Sequence, residues 1–226
     1  LRKSLQSEKN IIWVPNDLFV FKPLHELKKR KPELRFFMEI SEFPDYYRSQ
    51  NFSMHQVKAF ERHESFFNGI FLYDLTALAL MTQTLYTSFK NKKHDDLKFV
   101  HLPMTVDLER FKHEQEALKE FTKPYLIFVG VMNNAKDGVD ILIESFNTIQ
   151  MEYPTYNLYL VGPWQYDTPS HLERIKELRL ENRILWMKEY SREKIPAILS
   201  HAELLVLPRP DSKQAQGGFP TKLGEY

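Results

Sequence analysis

Cysteine is absent from this chain of 226 residues. Disulfides, thiolate metal sites and cysteine nucleophiles are thereby excluded, and the composition suits a reducing compartment such as the cytoplasm. An excess of one charge is lacking too: 31 basic residues stand against 30 acidic ones, a net charge of +1. That balance gives no reason to expect nucleic acid or a strongly anionic partner. No apolar run is long enough to span a membrane, the longest, 70–81, being broken by Asp74, and the start is not a signal peptide. Familiar fingerprints fail as well. The glycines after Tyr125 do not fit G-x-G-x-x-G, no G-x-x-x-x-G-K-[ST] occurs, and there is no G-x-S-x-G elbow. The first residue is Leu1 rather than Met, and the chain reads as a fragment.

What is present is a repeating strand–helix rhythm. Ile11 to Val14 reads as a short strand stopped by Pro15, and 23–31 as a helix with Leu24 and Leu27 inward. The bases Lys28 to Lys31 suit the solvated C-terminus of that helix better than an acidic-ligand patch. A second strand, 34–40, is followed by an amphipathic helix over 54–67. His63 beside Glu61 and Glu64 lacks a second histidine at helical spacing and reads as a polar face, not a metal site. Strands follow at 75–81 and 99–103, with Thr82 as the cap of a helix over 83–90. The charged stretch 107–123 reads as an exposed, partly helical link, dividing the chain into domains 1–118 and 119–226. In the second half, strands are expected at 125–129, 157–161, 183–186 and 203–208. Helices are expected from Gly138, from Ser170 as a cap and from Ser191, with a loop over 209–216. Alternation on this scale predicts parallel, doubly wound sheets.

In open α/β sheets ligands bind beyond the carboxyl ends of the strands. Three loops of the second half are therefore expected to converge: 130–138, 162–168 and 209–222. They carry Gly130, Gly138, Gly162, Gly217 and Gly218, with Lys136, Arg209, Gln214, Lys222 and Glu225 as polar groups. Backbone N–H groups and lysines suit a diphosphate, and a carboxylate suits sugar hydroxyls. Taken alone, the loop after Gly130 reads better as an ordinary turn with Lys136 a solvated lysine. Glu39 and Glu42, at the end of the second strand, are candidates for an acceptor-side cleft, or else a surface charge and a turn cap.

Five blocks in order, LIFVG…KDGVDILIESF, NLYLVGPW, RILWMKEYSREKIPAILSHAELLVLP, GGFPTKLGEY and the earlier LPMTVDLERF, resemble the family 4 retaining glycosyltransferases, the "glycosyl transferases group 1" type. The resemblance covers 75–226 well. It implies the GT-B fold, two Rossmann-like domains, the N-terminal one incomplete here and the C-terminal one cut short. It implies transfer of a sugar from a nucleotide-diphosphate sugar to a glycan or lipid-linked acceptor with retention, without a metal or other cofactor. It admits contact with the inner face of a membrane. Carried over by position, Lys136 lies near the diphosphate and Glu225 binds the donor ribose. The Gly217-Gly218-Phe219 backbone lies against the donor, and Lys222 is a further phosphate ligand. Glu225 also fits a carboxylate favouring a helix N-terminus.

The chain departs from the family pattern at three places. Val131 stands where the family has arginine, Asp137 separates Lys136 from Gly138, and Gly217 takes the place of the first of two glutamates eight positions apart. Lys222, Arg209, Ser212, Gln214 and Gln216 are the available substitutes, and the family's N-terminal glycine-rich loop is missing. Two other readings stand beside the transferase: a nucleotide-sugar epimerase of the same fold, and a non-catalytic sugar-nucleotide binding module.

Overall fold

A computed structural model describes residues 11–43, 52–92, 96–113 and 116–226, so two residues of the charged stretch 107–123 lie outside it. Contacts divide the chain into two compact units, Leu1–Met104 with Ser212–Phe219, and Thr105–Asp211 with Pro220–Tyr226.

The first unit holds a parallel sheet of strands β1 Ile11–Val14, β2 Arg35–Ile40, β3 Leu75–Leu80 and β4 Lys98–His101, in spatial order β1-β2-β3-β4. Helices α1 Phe21–Arg30, α2 Met54–Gly69 and α3 Gln83–Lys90 connect them. With the strands in sequence order, right-handed crossovers put all three helices on one face. Period-2 alternation shows which face: Phe36, Met38 and Ile40 of β2 are buried, with Phe21, Phe67, Leu85 and Phe89 of the helices in the same core. Trp13 and Ile11, of opposite phase in β1, are 55% and 65% exposed, and Trp13 packs on Phe37 of the neighbouring strand at 4.8 Å. Starts are fixed by capping. Ser53 and Gln56 form a reciprocal box at α2, and the Thr82 hydroxyl accepts from Leu85 N at 3.2 Å at α3, as the sequence predicts for Thr82.

The second unit is built on β5 Tyr125–Val129, β6 Asn157–Val161, β7 Ile184–Met187 and β8 Leu204–Leu205, all parallel, in order β7-β6-β5-β8. The short helix α4 Asn134–Asp137 and helices α5 Val139–Ile149, α6 Thr168–Glu177 and α7 Ile195–Ser200 lie between them. The chain steps outward from β5 to β6 to β7, then returns past β5 to β8. The return puts α7 on the face opposite α5 and α6, and two cores result. Phe128, Ile143, Phe146, Leu158 and Leu160 fill one; Tyr125, Ile127, Tyr159, Ile198 and Leu199 fill the other. The Tyr125 hydroxyl donates to Ile198 O at 2.7 Å, and burial, with the neighbouring Tyr159, pushes its pKa up to about 12. Two short helices close the chain, α8 Lys213–Gly217 in the first unit and α9 Thr221–Glu225 in the second.

Four expectations change. Thr105 to His113 and Glu116 to Leu118, assigned by the sequence to the first half, lie with the second unit, where Phe111 and Leu118 pack on its core. The strand expected over 203–208 pairs only at Leu204–Leu205, because Pro208 and Pro210 follow and cannot donate to a ladder. Ser170 does not cap α6, which starts at Thr168 with Pro169 in its first turn; the Ser170 hydroxyl donates to Asp167 O at 2.7 Å. The loop expected over 209–216 contains α8, capped by Ser212, whose hydroxyl accepts from Ala215 N at 3.1 Å. Among the described residues no helix is long and apolar enough to cross a membrane.

Gly138 takes φ 67° and ψ 35°, and a Cβ there would stand 2.1 Å from Pro208 O. Gly138→Ala is therefore expected to lower stability by about 1–3 kcal/mol, read from the urea midpoint. Gly69, at the end of α2, has open space around a built Cβ. Gly69→Ala should leave the midpoint unchanged or raise stability by up to ~1 kcal/mol.

Candidate functional site

The order β7-β6-β5-β8 makes a topological switch point between β5 and β8, where successive connections leave in opposite directions and a crevice opens beyond the strand ends. The loop after β5 is drawn tightly to its neighbours. Gly130 N donates to Val161 O at 2.9 Å and Gly162 N to Met187 O at 3.3 Å, so both glycines extend the ladders past the strands. A Cβ on Gly162 would lie 1.8 Å from Gly130 O, which only glycine allows. Asn133 then caps α4, its Oδ1 accepting from Lys136 N at 2.9 Å, and the Lys136 side chain is exposed. Gly138 both ends α4 and starts α5 beneath Pro208, which places Arg209 next to this loop.

A polar network joins the loops after β5 and β6. Asn134 N donates to Asp167 Oδ2 at 3.0 Å, and Asn134 Oδ1 accepts from Asp140 N at 3.2 Å. The same oxygen lies 2.5 Å from Nε2 of His171, a residue 4% exposed. A carbonyl oxygen there calls for the proton on Nε2. Burial lowers the His171 pKa, against the opposing pull of Asp167 and Asp140, so the ring stays neutral and keeps that tautomer.

Glu225, at the end of α9, is held from both sides. Arg110 Nη1 donates to its Oε1 at 2.8 Å and Lys222 Nζ to its Oε2 at 3.1 Å. Arg110 and Glu225 are 14% and 17% exposed, and Arg110 Nη2 donates to Arg192 O at 2.7 Å. Burial alone would raise the Glu225 pKa; the hydrogen bonds and charges of Arg110 and Lys222 outweigh it and hold the carboxylate below its ordinary value. The adjacent Tyr226 hydroxyl accepts from Val129 N at 3.1 Å and faces Val206 O at 3.5 Å. It thus sits between the ends of β5 and β8, and burial pushes its pKa up to about 12.

The second unit therefore carries Gly130, Lys136, Gly138, Gly162, Arg209, Lys222 and Glu225. The remaining predicted residues belong to the first unit. There Gln214 is buried and donates to Glu42 Oε1 at 2.9 Å, while Thr82 Oγ1 donates to Gly217 O at 2.7 Å. Glu39 is half-buried in β2, Gly218 follows α8, and Phe219 is 37% exposed. The 209–222 loop is thus split, with Ser212–Phe219 grouped with the first unit and the rest with the second. Four residues were missed from sequence: Arg110, Asn134, His171 and Tyr226. Arg110 sits within the LERF block, but nothing local distinguishes it from the solvated charges around it, and its partner is 115 residues away. Among the described residues no group of three or more His, Asp or Glu side chains could hold a metal ion.

The depressed pKa of Glu225 has a readable consequence. Its contribution to stability is complete above the unfolded value near pH ~4.3 and is lost as pH falls through the folded value. A carboxyl 13C titration is expected to place Glu225 below ~4.3 in the wild type and higher in Arg110→Met. A value at or above ~4.3 in the wild type contradicts the pairing.

Comparisons with known proteins bear on the same segment. Residues 123–226 match the family model described as Glycosyl transferases group 1. No curated protein matches by sequence. Among solved structures, TarM of S. aureus superposes with a TM-score of 0.63 at 14% identity, covering 90% of this chain and 37% of that one. Anabaena HepE, in complex with UDP and glucose, gives 0.62 at 13% identity, covering 91% and 55%. Sucrose-phosphate synthase from Thermosynechococcus elongatus gives 0.64 at 13% identity, covering 88% and 50%. The chain thus spans about 37–55% of the length of these structures. Residues 123–226 match the Glycosyl transferases group 1 family, and the α/β fold of the chain is the GT-B fold of these glycosyltransferases.

Proposed function

We propose that the protein transfers a sugar from a nucleotide-diphosphate sugar to a glycan or lipid-linked glycan acceptor with retention of configuration. The observation that carries this reading is the switch-point crevice of the second unit. It lies within the segment matching the glycosyl transferase family, and its loops meet at Gly138 with Lys136 exposed beside them. The diphosphate lies against backbone N–H groups at the start of α5, where the helix dipole favours negative charge. Lys136 and Lys222 offset the charge that builds on the diphosphate as the anomeric C–O bond breaks. Glu225, kept ionised by Arg110 and Lys222, accepts from the ribose hydroxyls through the lone pairs those cations leave. Solved neighbours support the donor class. TarM has been seen with alpha-GlcNAc-glycerol and UDP, and a pneumococcal O-GlcNAc transferase with UDP and GlcNAc.

One observation favours a second reading, a sugar-nucleotide binding module without transfer. A Cβ on Gly217 would stand 2.3 Å from the Phe43 ring, so the glutamate that the family pattern has here finds its space filled.

Calorimetric titration with UDP, GDP and ADP, without added metal, separates the readings when paired with a donor-turnover assay. One nucleotide should bind, and Lys136→Ala and Glu225→Ala should each weaken it by ~10-fold or more, the effect of losing a charged hydrogen bond. Turnover of the matching nucleotide sugar supports transfer; binding without turnover supports the module. No binding of any of the three removes both.

A further inference from the structure

The first unit encloses a cavity of about 270 Å³ that has no part in the scheme above. It opens between the ends of β1 and β2, the last turns of α2 and α3, and the first residue of α8. Its floor is apolar: Leu18, Phe21, Phe67 and Phe89, all from the unit's core. Its rim is polar and mixed in charge: Glu64, Asn68, Ser88, Lys92 and Lys213. Packed interiors leave few voids larger than a water molecule, and ligand sites run from about 300 Å³ upward. This space, far larger than a water molecule and just below that range, has room for a compact molecule of fragment size.

The rim is organised. Lys92 lays its stem along Phe89, with Nζ 4.5 Å from the ring centroid, and donates to Asn68 Oδ1 at 2.6 Å. Asn68 is itself fixed, its Nδ2 donating to Glu64 O at 3.0 Å. Burial disfavours the charged form of Lys92, Glu64 supports it and Lys213 opposes it, so the three charges share one local field. Lys213 reaches the rim from α8, a segment anchored by the Gln214–Glu42 and Thr82–Gly217 hydrogen bonds, and lies 5.8 Å over the Phe43 ring. Among the described residues that line the cavity, two ammonium groups stand against one carboxylate. An ammonium has three donors, and Asn68 engages one of those of Lys92.

We propose that this cavity binds a small organic anion, its charged head between Lys92 and Lys213 and its apolar body against Phe21, Phe67 and Phe89. The head takes up hydrogen-bonding capacity of Lys92 and pairs with the two ammonium groups; the body replaces solvent over the aromatic floor. Glu64 sets the limit on head-group charge and favours contact with the lysine side of the rim. The inference rests on the first unit alone and does not depend on the transfer reaction proposed for the second.

Phenyl phosphate is the probe, titrated into the full chain and followed by 1H–15N amide shifts, with inorganic phosphate and phenol as separate arms. Phenyl phosphate should bind at least ~10-fold tighter than either arm, since head and floor then act together on one molecule. Shifts should centre on Asn68, Ser88, Lys92 and Lys213. Lys92→Met keeps the stem packed on Phe89 and should weaken binding at least ~5-fold, the scale of losing one charged hydrogen bond. Lys213→Met, at an exposed position, should weaken it as well with the unfolding midpoint unchanged. No saturable binding overturns the proposal, as does phenyl phosphate binding no tighter than phosphate. So does affinity unaltered in both variants, or shifts centred on the loops after β5 and β8. Shifts at those loops would instead report an anion site in the second unit; the other results leave nucleotide binding open, so the two readings fail independently.

Discussion

Backbone passes against backbone at two glycines of the second unit, and the geometry of its strand ends follows from that. At Gly138 the loop after β5 runs under Pro208 O, and at Gly162 the loop after β6 runs under Gly130 O, each leaving no room for a Cβ. Any side chain at either position would spread the loops and open the crevice at the switch point. The left-handed backbone at Gly138 does a second thing: it ends one short helix and begins the next within a single residue. Close approach, more than any one side chain, sets the spacing of these loops.

Electrostatics then finishes what sterics begins. Asn134 serves three neighbours at once, receiving Asp140 N and His171 on its side chain while giving its own N–H to Asp167. A buried neutral imidazole is a demanding partner, because a charge there would cost several kcal/mol of desolvation. Glu225 represents the opposite solution. It is less deeply buried and keeps its charge, because two cations reach it, Lys222 from its own helix and Arg110 from 115 residues away. The first fixes a loop, and the second presents an ionised carboxylate.

Most of the fold was legible because its signals are local. The apolar run before Gly130, the 3.6-residue spacing after Gly138 and the threonine before α3 are each read within a dozen residues, and each holds in the structure. What escaped was set by distance along the chain. Arg110 looks like one more solvated base until Glu225 is placed beside it, and His171 looks like a polar helix residue until Asn134 is. The short β8 was over-read because Val206 continues the apolar pattern, and its N–H does bond Ile127 O, yet the prolines beyond stop the pairing. The division of 209–222 between the units was invisible for the same reason. A glycine-rich segment carries no periodicity to say which core it will join, and α8 is held to the first unit by two side-chain hydrogen bonds.

The hydroxyl of Tyr226 stands where the next rung between β5 and β8 would fall, taking Val129 N on one side and facing Val206 O on the other. A phenol in that place is a spacer: it holds two strand ends apart by the width of one oxygen while satisfying the backbone groups that the gap exposes. The tyrosine follows α9 directly, so the width of the crevice is set by the seating of the last helix. Replacing the phenolic hydroxyl by hydrogen would leave two backbone groups to find each other or to find water. The two strands would then either close up or part, and the helix that carries Glu225 would lose its gauge.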